Sequence, residues 1–285
     1  MESVIVSGKN SQLGQELQLV ALRYPQFNFY FYTKEELDIS NAAQLEKSFS
    51  KHHPAFFINC AAYTAVDKAE TVQEAAYIIN AESVGHIAKL CKKFNTTLIH
   101  ISSDYVFDGK NKSPYHEYDT TNPINYYGYT KYIGEKLALE NNDKTIIIRT
   151  SWVYSAFGQN FVKTMIRLMQ ERSELNVVND QHGSPTYAKD LAAAILSIMK
   201  RQAPNAEYGI YHFSNEGIIS WFDFACAIKE LKHFDCNLHP VSTAEYPTPA
   251  KRPLYTALNK EKIVVAYHIQ LRNWKESLKE CLELL

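Results

Sequence analysis

The feature that most constrains this chain is a rhythm. Short apolar runs rich in branched and aromatic residues, at 4–7, 27–32, 56–59, 97–101 and 145–148, alternate with longer stretches of helical period. One of those stretches carries Val84, Ile87, Ala88 and Cys91 at i, i+3, i+4 and i+7, a single apolar stripe that can lie on a sheet. Strands separated by helices pair in parallel, and a parallel sheet is covered on both faces. The rhythm therefore predicts an α/β fold, a doubly wound parallel sheet that binds ligands beyond the carboxyl ends of its strands. After about residue 152 the pattern loosens: a helical segment at 160–171, a short strand, a helix at 188–200, and a proline-bearing stretch at 239–253. Two units follow as the expectation. Residues 1–152 form a nucleotide-binding domain, and 153–285 mainly a smaller C-terminal substrate-binding lobe, with some segments returning to the first unit. The polar segment 110–125, with Pro114 and Pro123, reads as a surface loop.

Charge and cysteines narrow the partners. Thirty basic residues against thirty-one acidic ones leave a net charge of -1 over 285 residues, so no nucleic acid or anionic lipid surface is expected as a partner. The five cysteines are odd in number and contain no CxxC pair, which reads as buried thiols in a reducing cytoplasm. No apolar run approaches the roughly 18 residues that span a bilayer, and the N-terminus lacks a basic leader. A small molecule is the expected partner.

Two stretches carry chemistry. In VIVSGKNSQLGQEL, Gly8 ends the first strand and Gly14 opens the first helix, where a dinucleotide pyrophosphate meets helix N-terminal amides. The expected middle glycine is Ser11, which adds a Cβ where backbone and phosphate approach closely. The second strand ends Tyr32-Thr33-Lys34, without the acidic residue that holds adenosine ribose hydroxyls. Lys34 there points to the extra phosphate of NADPH, with NADH left open. The other stretch, NPINYYGYTKYIG, holds four tyrosines around Lys131. A phenol with a pKa near ~10 needs a neighbouring cation to act near neutrality. Only Tyr127 stands four residues ahead of Lys131 on one helical face, which leaves Tyr126, Tyr129 and Tyr132 as packing residues. The fourth run ends on a hydroxyl, Ser103, in LIHISSDYVFDG.

Ser103, Tyr127 and Lys131 after a glycine turn resemble the Ser/Thr-Tyr-Lys triad of the extended short-chain dehydrogenase/reductase superfamily, whose nucleotide-binding domain is of Rossmann type. The blocks NCAAYTAVDKAE, SSDYVFDG, YGYTK, RTSWVY, NFVKTM, NDQHGSPTYAKDLA and YHFSNEG are similar, more closely, to the dTDP-4-dehydrorhamnose reductase family and cover nearly the whole chain. The resemblance implies reduction of the C4 ketone of a dTDP-sugar, with Tyr127 as acid, Lys131 depressing its pKa and holding the nicotinamide ribose, and Ser103 aligning the ketone. It implies that Gly8, Asn10, Ser11, Gln12, Leu13 and Gly14 surround the pyrophosphate, that Asp38 and Ile39 flank the adenine, and that Ala61, Ala62 and Tyr63 run under the cofactor. By the same resemblance Thr64, Val66, Tyr105 and Trp152 face the sugar and Arg252 clamps the diphosphate. Trp152 has core packing as a competing explanation. Glu16 fits one metal position of some relatives, yet no complete ligand set is matched and no catalytic metal is expected. A homodimer is left open. Asp104 is followed by Tyr105 where sugar-nucleotide dehydratases carry glutamate, which disfavours elimination. An epimerase, another sugar-nucleotide reductase, and a regulatory binding module like that of methionine adenosyltransferase stay as alternatives.

Overall fold

The computed structural model describes residues 1–201 and 207–285. Its centre is a six-stranded sheet of β1 (Glu2–Ser7), β2 (Phe27–Tyr32), β3 (Phe56–Asn59), β4 (Thr97–Ser103), β5 (Thr145–Thr150) and β6 (Gly209–His212). The strands are all parallel, in the order β6-β5-β4-β3-β1-β2. Alternation along each strand decides which helix layer it meets. On β1, Val4 and Val6 enter the core formed with helices Gln12–Ala21 and Ala188–Arg201. Ile5, one residue out of phase, enters the opposite core with helices Ala42–His52 and Ser83–Lys93. Val84, Ile87, Ala88 and Cys91 are all fully buried there, so the helical stripe serves as core. The strand order reverses direction between the paired strands β1 and β3, the switch point beyond whose carboxyl ends such sheets bind ligands.

The C-terminal half divides. Residues 188–201 and β6 join the first core, β6 pairing with β5 from Gly209↔Ile146 to His212↔Arg149. A second core gathers helices Phe161–Glu171, Trp221–Lys232 and Trp274–Leu282 around Phe224, Tyr154 and Tyr187. Beside it lies a two-stranded parallel pair, Glu174–Val178 with Asn237–Val241.

Two expectations change. The 110–125 segment is a loop, but Tyr115 is only 4% exposed and stacks on Phe107 at 4.1 Å, because its backbone bridges to Leu258 and turns the ring inward. Cys91, Cys236 and Cys281 are buried, whereas Cys60 and Cys226 are half-buried, Cys60 because it leaves β3 at the rim of the cleft described below. Tyr129 is 42% exposed and packs at the surface, its ring 5.7 Å from that of Tyr126, while Tyr132 packs beside Val106 and Phe107.

Candidate active site

A cleft of about 590 Å³ opens at the carboxyl ends of β1, β3, β4 and β5. Its floor begins with the glycine turn. Gly8 has φ +75°, a conformation glycine adopts without steric cost, and a Cβ on Gly14 would sit 2.2 Å from the Gly8 carbonyl oxygen. Those two positions are closed to side chains. Ser11 is different: with φ -69° it tolerates its Cβ, and its hydroxyl accepts the Gly14 amide at 3.0 Å, capping helix Gln12–Ala21. The missing middle glycine is thus a helix cap. Gly14→Ala should cost about 1–3 kcal/mol of stability and weaken NADPH binding roughly tenfold, measured by thermal unfolding and fluorescence titration.

The loop leaving β3 is held by one buried amide. Asn80 accepts the Tyr63 amide at 2.9 Å and donates to the Tyr63 carbonyl at 3.0 Å and to the Thr130 hydroxyl at 3.1 Å. It thereby ties the 61–64 loop to helix Tyr126–Asn141. Asn125 caps that helix by accepting the Gly128 amide at 2.7 Å. Gly128 lets the helix approach Tyr105, whose carbonyl oxygen would lie 2.1 Å from any Cβ there. The consequence is a fixed entry point that turns Tyr127 and Lys131 into the cleft.

Ser103, the last residue of β4, donates to Asp104 Oδ1 at 2.9 Å and accepts the Tyr105 amide at 3.1 Å. Burial pushes Asp104 up to about 6, opposed by hydrogen bonds that include Thr256 and Ser103. Burial also raises the Tyr127 phenol, to about 12, with Ser103 lowering it and Asp104 raising it. Lys131 falls to about 8 because burial disfavours its ammonium, with Glu135 pulling the other way. Its Nζ donates to the Ile101 carbonyl at 2.6 Å and stands 3.5 Å from His100 Nε2. The expected lowering of Tyr127 is therefore not displayed by the chain alone: desolvation dominates, and one of the three ammonium hydrogens of Lys131 is given to β4.

The cleft gathers Asn10, Ser11, Gln12, Leu13, Ala61, Ala62, Thr64, Ser103, Tyr127, Lys131 and Trp152. Gly8 and Gly14 lie behind this lining as backbone. Trp152 serves both of its readings: it lines the cleft and stacks on Trp221 at 3.6 Å with a 14° tilt, held at φ +48°. Lys34 is exposed outside the lining, and Asp38 accepts from the Ser40 amide and hydroxyl. The Ile39 side chain is 4% exposed and packs in the core with Leu37 and Leu45, so only its backbone is free to meet an adenine. Val66, Tyr63, Tyr105 and Arg252 also lie outside the lining. Tyr105 meets Tyr127 edge-on at 5.9 Å. Arg252 is engaged in a two-pronged pair with Asp67, at 3.1 and 2.8 Å. A diphosphate clamp at Arg252 would have to exchange that carboxylate for phosphate oxygens, which present the same paired acceptors. Glu16 accepts the Ser155 hydroxyl at 2.6 Å, and among the described residues no three His, Cys, Asp or Glu side chains are grouped as metal ligands. Sequence reasoning missed Asn59, Asp104, Thr150, Gly158 and Gln159 as lining. The signal available for Asn59 and Thr150 was their place at the ends of β3 and β5.

Known proteins resemble this chain over nearly its whole length. The chain is 38% identical over 288 residues to dTDP-4-dehydrorhamnose reductase of Aggregatibacter actinomycetemcomitans, covering 98% of each. It is 39% identical to the spore coat polysaccharide biosynthesis protein SpsK of Bacillus subtilis, covering 99% of this chain and 98% of that one. Among solved structures, the dTDP-4-dehydrorhamnose reductase of Bacillus anthracis in complex with NADP superposes with a TM-score of 0.94 at 40% identity, covering 100% of this chain and 99% of the other. That of Clostridium acetobutylicum gives the same TM-score and identity with 99% of each covered. The family described as RmlD substrate binding domain matches residues 1–285, and with this fold and this cleft the chain belongs to that family.

Proposed function

We propose that this chain reduces the C4 ketone of dTDP-4-dehydro-L-rhamnose to dTDP-L-rhamnose with NADPH, supplying a precursor of cell-surface polysaccharide from the cytoplasm. The observation that carries the reading is the convergence of Ser103, Tyr127 and Lys131 with the glycine turn in one cleft. The residues fit a dinucleotide: Gly8 and Gly14 leave no room for side chains, and the Gln12–Ala21 helix presents its N-terminus where a pyrophosphate would lie. Bound there, NADPH would supply the hydride. Charge then grows on the ketone oxygen, and a positioned acid lowers that barrier. Tyr127, whose phenol stays protonated at neutral pH, gives that oxygen its proton. Ser103 orients the ketone from the end of β4, and Lys131 holds the ribose and the charge of the resulting phenolate. Trp152, anchored on Trp221, offers a flat wall to the sugar nucleotide. We divide the roles accordingly, with residues 1–152 carrying the cofactor and most of 153–285 the substrate.

The test follows reduced-nicotinamide absorbance with dTDP-4-dehydro-L-rhamnose generated in the same tube. Oxidation coupled to dTDP-L-rhamnose formation supports the reading, and binding of NADPH without oxidation overturns it. Run with NADPH and NADH, Lys34→Ala is expected to reduce the preference for NADPH about fivefold. The effect is modest because an exposed charge is screened by salt.

A further inference from the structure

Beneath the cleft a line of buried polar groups crosses three strands. The Ser7 hydroxyl, at the end of β1, donates to Asn59 Oδ1 at 2.7 Å, and Asn59 Nδ2, at the end of β3, meets His100 Nδ1 at 3.2 Å. On β4, His100 turns its other nitrogen, Nε2, toward Lys131 Nζ at 3.5 Å. Ser7 and His100 are fully buried, and Asn59 and Lys131 are each 1% exposed. None of the first three was required by the proposed reductase chemistry, yet each polar group is aimed at the next.

The direction of the line matters. A hydroxyl that donates to the amide oxygen leaves the amide nitrogen to donate onward, so His100 Nδ1 is an acceptor. A neutral imidazole then carries its proton on Nε2, facing Nζ. Burial and the neighbouring lysine keep His100 neutral, well below its usual range. An ammonium has no lone pair to accept from Nε2–H, whereas a free amine does.

We propose that His100, oriented by Asn59 and Ser7, is a positioning residue that makes the Lys131 ammonium a readier acid, because its Nε2–H can donate to the amine that remains once this lysine has returned a proton to Tyr127. The inference rests on the reductase reading of the triad. In the step it describes, the Tyr127 O–H bond breaks as its proton goes to the ketone oxygen. An Nζ–H bond of Lys131 then breaks as that proton passes to the phenolate. The amine left behind accepts the hydrogen bond from His100 Nε2–H, and water restores the ammonium. The titratable and charged groups facing Lys131 are His100 from β4 and Glu135 from its own helix, with Arg149 of β5 behind Glu135, and Tyr127 lines the same cleft one turn away. Ser7 and Asn59 add no charge.

The experiment titrates the Lys131 side chain by NMR in protein carrying ¹³C-labelled lysine, its resonance assigned with Lys131→Arg. His100→Asn keeps a polar group against Asn59 but ends short of Nζ, so the Lys131 midpoint should rise by about one pH unit, and kcat should fall by about tenfold. Ser7→Ala, a minimal change that frees the Asn59 amide to turn, should move the midpoint the same way by a smaller amount, and it stands in if His100→Asn fails to fold. A midpoint that stays put or falls in the variants that fold overturns the proposal, since a purely structural role predicts lost stability without a moved titration. The titration needs no substrate. Absence of turnover in the wild-type protein would therefore sink the reductase reading while leaving the effect of His100 on Lys131 measured.

Discussion

Tyr127→Phe is expected to lower kcat about 10³-fold while changing NADPH affinity less than about threefold, because it removes one oxygen and leaves the ring in place. The ring keeps its edge-on contact with Tyr105, and the helix keeps its Asn125 cap and its Gly128 approach, so no other group is displaced. The pH profile sharpens the test. In the wild-type chain the phenol is held up to about 12 and supplies its proton across the neutral range. Lys131, near 8, is the member of the triad whose charge changes closest to neutrality, so wild-type activity should decline as pH rises through that value. Any residual activity of the phenylalanine variant should lose that dependence, since no phenolate remains for the lysine to serve. Stopped-flow measurement of the hydride step, with cofactor binding measured separately, checks both. Unchanged turnover would remove Tyr127 from the mechanism.

The largest stability effect is expected at Glu135→Ala. Glu135 lies one turn beyond Lys131 and forms a two-pronged pair with Arg149, Nε to Oε1 at 2.9 Å and Nη2 to Oε2 at 2.7 Å, with side chains 2% and 3% exposed. The Ser102 hydroxyl donates to the same carboxylate at 2.5 Å. Helix Tyr126–Asn141 is thereby fastened to β4 and β5 through one buried acid. Removing it strands a guanidinium that was taken out of water, and the loss should be about 3–5 kcal/mol in urea unfolding. Replacing both partners, Glu135→Leu with Arg149→Met, should recover most of that loss, because the pair's own formation is largely offset by desolvation. If the single and double variants are equally unstable, the pair acts through shape and not through charge. Either way the helix that presents Tyr127 should loosen, so kcat should fall more than NADPH affinity.

How far the sequence reached depends on the range of the interaction. Alternation of apolar residues with period two, and stripes with period near four, are written between neighbours, so β1 to β5 and the helix bearing Tyr127 and Lys131 were legible to within a few residues. The glycine turn was legible for the same reason, since Gly8 and Gly14 answer to a local backbone clash. Ser11 was read as a defect in that turn, and only its 3.0 Å contact with the Gly14 amide shows it to be a cap. The strand β6 escaped because Gly209 to His212 opens on glycine, ends on histidine and lacks the apolar run that marks the equally short β3, and it is a strand because β5 offers it an edge. Tyr115 looked like loop and is core, for its burial depends on a bridge to Leu258.

By itself the sequence determined a parallel α/β sheet, a dinucleotide turn at its first strand, and a tyrosine and lysine on one helical face. Tertiary structure alone decided what those groups meet: Asn59 and His100 beneath the lysine, Glu135 against Arg149, and Asp67 holding Arg252 from 185 positions away. The reason is physical. Backbone periodicity is satisfied within a turn or a strand, whereas a buried polar atom must find its partner wherever packing brings one within about 3 Å.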